Sequence, residues 1–132
     1  MCLAVCDFHE VARDVSMAGT MEGLRKIHGE GPELAYLSYM ANRIHECWRV
    51  LKPTGNIYLH FDPTMSHSLK LVLDGKFGSK NFLNEIVWYY RGAGVPKKDF
   101  ARRHDTILRY AKRNGKHYFN HDPTILLSLI HI

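Results

Sequence analysis

The chain has 132 residues, 45% of them hydrophobic, and a formal charge of +5, which fits one globular domain able to bury a core. No apolar run reaches the ~18 residues of a membrane span, and Asp7, His9 and Glu10 break up the first ten residues too early for a signal peptide. Three cysteines (Cys2, Cys6 and Cys47) form no disulfide framework, so a reducing cytoplasm is the expected compartment.

Residues 1–31 show no clean period and are expected to be an irregular, peripheral segment. Met17, Met21, Leu24 and Ile27 could line one short helix stopped by Gly29, Gly31 and Pro32. The next segment is the strongest helix. Leu34, Leu37, Ala41, Ile44, Trp48 and Leu51 step by threes and fours onto one face, with Arg43, Glu46 and Arg49 opposite. This predicts a helix over about 33–52, ended by Pro53 and Gly55. A strand over 56–62 follows, in which Ile57, Leu59 and Phe61 alternate with the bulky Tyr58 and His60. Bulk on both faces predicts a strand covered on both sides, as in a parallel sheet under helices. A long helix feeding such a strand is half of a right-handed crossover unit.

Asp62 is placed to cap the next helix, with Pro63 at its first position. That helix is predicted over about 64–76 with Met65, Leu69 and Val72 as its stripe. Ile86, Val87 and Trp88 predict a second buried strand over 84–91, and Ile107, Leu108 and Tyr110 a third over 105–112. Their connection has no helical period, so these two should pair antiparallel. The last residues, 121–132, end in Leu-Ser-Leu-Ile-His-Ile, which resembles translated adapter read-through and is set apart as non-native.

Few residues carry chemistry. His117 and His121 share a four-residue spacing but are flanked by Asn114-Gly115 and Asp122-Pro123, and Cys2 and Cys6 have no second pair, so no metal site is expected. His45 and Cys47 lie on the strong helix, where packing or solvent explains them. Ser66 and Ser68 sit at a helix start, where serine caps or meets water. Gly92 and Gly94 alone are too short a motif for phosphate. Two places remain. His60 and Asp62 stand at the carboxyl end of a strand, where α/β sheets bind ligands, although a packed histidine and a capping aspartate account for them equally. Arg91, Lys97, Lys98, Arg102 and Arg103 crowd a glycine- and proline-broken loop with a single acid, Asp99. That loop is either a solvated charge cluster or a phosphate-binding surface.

Five pieces of the chain stand in one order: Tyr36-Leu37-x-x-Met40 running to Leu51-Lys-Pro-x-Gly55, the strand Asn56 to Asp62, Leu69 to Phe82 with its Phe77-Gly78 turn, Asn84-Glu-Ile-Val-Trp88, and His104-Asp-Thr-Ile-Leu108. Between Glu33 and Lys112 this order resembles the middle of the DNA amino-methyltransferases. The resemblance implies a partial Rossmann-like α/β sheet ending in an antiparallel β-hairpin, with strand 105–112 inserted between the other two. It also implies S-adenosylmethionine as methyl donor, double-stranded DNA as partner, and an exocyclic amine as target, adenine N6 favoured over cytosine N4. In that family a flipped base meets an Asp/Asn/Ser-Pro-Pro-Tyr/Phe tetrapeptide. The chain has no such tetrapeptide and no Phe-x-Gly-x-Gly cofactor loop; His121-Asp122-Pro123-Thr124 lacks the second proline and the aromatic residue. No catalytic residue is therefore assigned, and the cofactor residues are unknown beyond His60 and Asp62 as cleft candidates. Lys76 and Arg109 depart from the family pattern, which has apolar residues there. Residues 32–120 are expected to be a methylase fragment, inactive alone and prone to oligomerise through an exposed sheet edge. The alternatives are a non-catalytic nucleic-acid-binding module using loop 91–104, and a plain structural fragment.

Overall fold

The computed structural model of the chain describes residues 15–120 except 93 and 95. The helix expected from the three-and-four stepping is α2 (Pro32–Val50), with Leu34, Leu37, Ala41 and Ile44 buried and Trp48 and Leu51 packed against the core. The expectation of an irregular N-terminal segment fails over Val15–His28, which forms a 14-residue helix, α1. Met17, Met21 and Leu24 of its stripe are buried, while Ile27 is exposed. Gly19 and Gly23 weaken the helical reading, because glycine is a poor helix former. Packing overrides that weakness. A third helix, α3 (Ser66–Phe77), lies against α1 and α2, and at Gly75 it approaches α1 so closely that an added Cβ would sit 2.6 Å from Thr20 Oγ1.

Three strands make one sheet: β1 (Asn56–Phe61), β2 (Phe82–Tyr89) and β3 (His104–Ala111). Their order is β1-β3-β2, and β3 pairs antiparallel with both neighbours. Strands β1 and β2 therefore run in the same direction with β3 inserted between them, the arrangement expected for 105–112. The architecture is α/β, with every pairing in this sheet antiparallel. The turn into β1 depends on Gly55: its amide donates to the Lys52 carbonyl at 2.8 Å, and a Cβ there would lie 2.7 Å from Leu51 Cγ.

The helices cover one face of the sheet. Tyr110, Leu108 and Thr106 of β3 point into that layer beside their register partners Ile57, Leu59 and Phe61. The opposite face is largely open, which corrects two expectations. Strand β1 is not covered on both sides, since Tyr58 is 55% exposed and His60 is also exposed. Strand β2 is not buried: Val87 and Trp88 are about three-fifths exposed, and Ile86 is exposed too. Periodicity reports that side chains are apolar, not that a covering layer lies within the same chain.

Tyr110 ties the two layers together. Its ring packs against Phe77 and Phe82, and its hydroxyl donates to Asp74 Oδ1 at 2.6 Å, while Lys70 donates to Asp74 Oδ2 at 2.8 Å. Burial, and then the Asp74 carboxylate, hold this phenol far above its usual range. The folded state favours the neutral phenol, so this contribution is complete below the unfolded tyrosine pKa of about 10 and is lost as pH rises beyond it. Tyr110→Phe should lose about 1 kcal/mol at neutral pH. Its deficit should then shrink above pH ~10 by up to ~1.4 kcal/mol per pH unit. Urea unfolding of both proteins at neutral and alkaline pH measures this; a deficit independent of pH would refute it.

Three further residues depart from expectation. Asp62 does not cap α3, whose N-cap is Met65 without a side-chain hydrogen bond. Instead Asp62 accepts from the Thr64 amide at 3.2 Å and hydroxyl at 3.3 Å, a local turn that competes with helix initiation. The Lys76 ammonium lies 4.4 Å from the centre of the Trp48 ring, with Lys112 over the same ring at 4.5 Å, so its stem packs while its charge meets an aromatic face. The Arg109 guanidinium sits between the rings of Tyr58 (5.5 Å) and Phe119 (4.8 Å), and its Nε and one Nη are buried without hydrogen-bond partners. Stacking offsets part of the desolvation cost that a lone buried arginine would carry.

Candidate nucleic-acid interface

Antiparallel pairing decides which residues meet. Phe61 pairs with Thr106 and Tyr89 with His104, so the carboxyl ends of β1 and β2 share one end of the sheet with the start of β3. His60 and Asp62, then Tyr90 and Arg91, then His104 and Asp105 collect there. The loop of residues 91–103 springs from the same end. His60 Nε2 lies 3.0 Å from Asp105 Oδ2, an exposed contact of the kind that contributes about 1 kcal/mol or less. Asp105 was not among the residues singled out from sequence. Its partner lies on another strand, and only the register brings the two together.

The loop is braced at its base. The Tyr90 amide donates to the Arg103 carbonyl at 3.0 Å, extending the β2–β3 ladder by one residue. The Arg103 guanidinium donates to the Gly94 carbonyl at 2.8 Å, so this expected phosphate ligand also spends a donor on shaping the loop. Arg91, Lys97, Lys98 and Arg102 are exposed. The one acid, Asp99, accepts from the Phe100 amide at 2.7 Å. The structure thus brings the five cations to the end of the sheet that carries His60 and Asp62. It does not join the two groups, since His60 bonds Asp105 and Asp62 bonds Thr64. Tyr89 and Phe100, 67% and 94% exposed, add aromatic surface that the sequence reading passed over. An apolar residue inside a cationic loop was the signal that could have found Phe100.

A positive loop with exposed aromatic residues at strand carboxyl ends suits a nucleic acid. Comparison with known proteins decides the family: a model described as DNA methylase matches residues 19–126. The chain belongs to the DNA methylase family. It is 33% identical over 87 residues to the type II methyltransferase M.HpaI of Haemophilus parainfluenzae, and 36% identical over 92 residues to the type II methyltransferase M.EcaI of Enterobacter cloacae. It is also 34% identical over 96 residues to the Mod subunit of the type III restriction-modification enzyme StyLTI of Salmonella typhimurium. These alignments cover 66%, 69% and 67% of this chain but 27%, 20% and 14% of the respective relatives. The methylase chain spans about a quarter or less of the curated relatives it matches.

The described residues do not fit the methyl donor expected of a methylase. The loop at the sheet end holds Gly92 and Gly94 but is not a Phe-x-Gly-x-Gly cofactor loop. A cavity of about 390 Å³ lies elsewhere, between α1 and α3, lined by Gly19, Thr20, Leu24, Leu71 and Asp74 among others. Its one charged group, Asp74, is already bonded to Tyr110 and Lys70, and Tyr110 pairs with Ile57 near the start of β1, away from the loop. No step is assigned through a cofactor in this chain. Among the described residues, no three His, Cys, Asp or Glu side chains converge on a metal site, and no helix is long and apolar enough to cross a membrane. Cys2, Cys6, the 121–124 near-match to the tetrapeptide and the tail to Ile132 lie outside the described residues, as does the His121 half of the histidine pair.

Proposed function

We propose that this methylase chain is the hairpin-bearing segment of a site-specific DNA methyltransferase, with residues 32–120 as its methylase portion. The complete enzyme moves the methyl group of S-adenosylmethionine to an exocyclic base amine, adenine N6 in preference to cytosine N4. The donor supplies an electrophilic methyl group, and its binding residues and the catalytic tetrapeptide lie on parts of the protein outside this chain. Here β1, β3 and β2 form one side of a larger Rossmann-like sheet. The work takes place in the cytoplasm, on double-stranded DNA. Taken alone, the chain self-associates through the free edge of β1, because such an edge offers unpaired backbone groups to another strand.

The chain's own contribution is to hold DNA. Arg91, Lys97, Lys98 and Arg102 contact phosphates, Arg103 does so while bracing the loop, and His60 and Asp62 line the cleft beside it. Phosphate contacts position the duplex without reading its sequence. The observation that carries this reading is the braced cationic loop at the strand carboxyl ends of a DNA methylase. In the complete enzyme, replacing Lys97 and Lys98 by alanine should weaken binding about equally on cognate and unrelated DNA. The slope of log affinity against log salt should shrink by roughly 0.9 per lost contact. An unchanged slope would return the loop to a solvated charge cluster.

A second reading, a nucleic-acid-binding module without catalysis, is favoured by one observation: the loop lies within the chain, while the tetrapeptide does not. It predicts salt-dependent DNA binding by a complete protein that transfers no methyl group.

A further inference from the structure

We propose that Phe100 is a wedge that enters the base stack of DNA held by the cationic loop, a role that rests on the DNA-binding reading above. Phe100 is 94% exposed, more so than any other large apolar side chain among the described residues. A single exposed apolar residue is ordinary on a protein surface and decides nothing by itself. Its surroundings are what distinguish it. Lys97, Lys98 and Arg102 flank it within a few residues and are exposed too, so whatever covers the ring must accept positive charge around it. A duplex offers that combination: phosphates on the outside and an apolar slot between stacked bases.

The loop that carries the ring is braced by hydrogen bonds. The Phe100 amide is bonded to the Asp99 carboxylate, and the loop base is closed by the Tyr90–Arg103 and Arg103–Gly94 hydrogen bonds. The strand aromatics Trp88 and Tyr89 are less exposed, at 60% and 67%, and lie along the pleat of β2 with sheet neighbours on one flank. Phe100 stands on the loop instead, clear of the sheet. Minor-groove and bending proteins use phenylalanine in this way, prying a base step partly open to gain contact along the bent duplex. In a methylase such a wedge would loosen the stack beside the base to be extruded.

The test compares the complete protein with its Phe100→Ala variant in DNA titrations over a salt series. The duplexes carry 2-aminopurine at successive positions flanking the target base. The wild type should brighten 2-aminopurine at one flanking step. Phe100→Ala should bind about tenfold more weakly, the size of one base–aromatic stack. It should lose that brightening and keep the wild-type salt slope, since no charge is removed. Equal affinity and equal brightening would overturn the wedge, and the DNA reading would survive if Lys97→Ala/Lys98→Ala still flattens the slope. A flattened slope in Phe100→Ala itself would also overturn the wedge, because it would show a displaced cationic loop. Wild-type binding that ignores salt would remove the DNA reading and the wedge together.

Discussion

Truncating Leu69 to alanine should remove about 2–5 kcal/mol of stability, the range for a buried leucine whose site cannot collapse. Leu69 is fully buried on α3, in the cluster where Leu37, Met21 and Tyr110 meet from α2, α1 and the sheet. All three helices and the sheet contribute side chains to that cluster, so the cavity would be lined by packed elements on every side. Leu71, two residues away and 46% exposed, is the control: Leu71→Ala should change stability by less than about 0.5 kcal/mol. Urea unfolding at dilute chain concentration, followed by tryptophan fluorescence, measures both. Equal small effects at the two positions would mean that the three helices and the sheet do not share one core.

The second large effect is an absence of activity. The 132-residue chain mixed with S-adenosylmethionine and DNA should transfer no methyl group above background. Enzymatic methyl transfer depends on holding donor and acceptor in near-attack geometry, an advantage of ~10⁵–10⁸ M in effective concentration for well-oriented groups. Nothing at the sheet end supplies either half of that geometry. His60 is turned to Asp105, Asp62 to Thr64 and Arg103 to Gly94, and Arg91, Lys97, Lys98 and Arg102 are exposed. Turnover by this chain would require a donor site that the described residues do not show.

How much of this was legible in the sequence depended on how local each cause is. The stripe of α2 was plain, because six apolar residues at helical steps can satisfy only one face. The inserted position of β3 was reached through the family resemblance, and the lack of helical period between β2 and β3 had already pointed to a hairpin. Helix α1 was underrated because residues 1–31 show no clean period and Gly19 and Gly23 lower helix propensity, whereas burial of Met17, Met21 and Leu24 against the other helices supplies what local propensity does not. Strand β2 was overrated because Ile86, Val87 and Trp88 are as apolar as a buried strand while the layer that would cover them is absent from the described residues. Asp62 offers a cap and a turn with the same side chain, and only the backbone path chooses between them. The loop cations could be read as a group from composition alone. The partners of His60 and Arg109 could not, since Asp105, Tyr58 and Phe119 are brought to them by strand register and by the chain's return across the sheet.

The most direct measurement is methyl incorporation by the complete protein. Labelled S-adenosylmethionine is supplied with duplex DNA, and the digested nucleosides are separated. The expected result is label on an exocyclic amine, chiefly as N6-methyladenine, that disappears when the Asp/Asn/Ser-Pro-Pro-Tyr/Phe tetrapeptide of the complete protein is mutated. A complete protein that binds the same DNA but leaves every nucleoside unlabelled would contradict it.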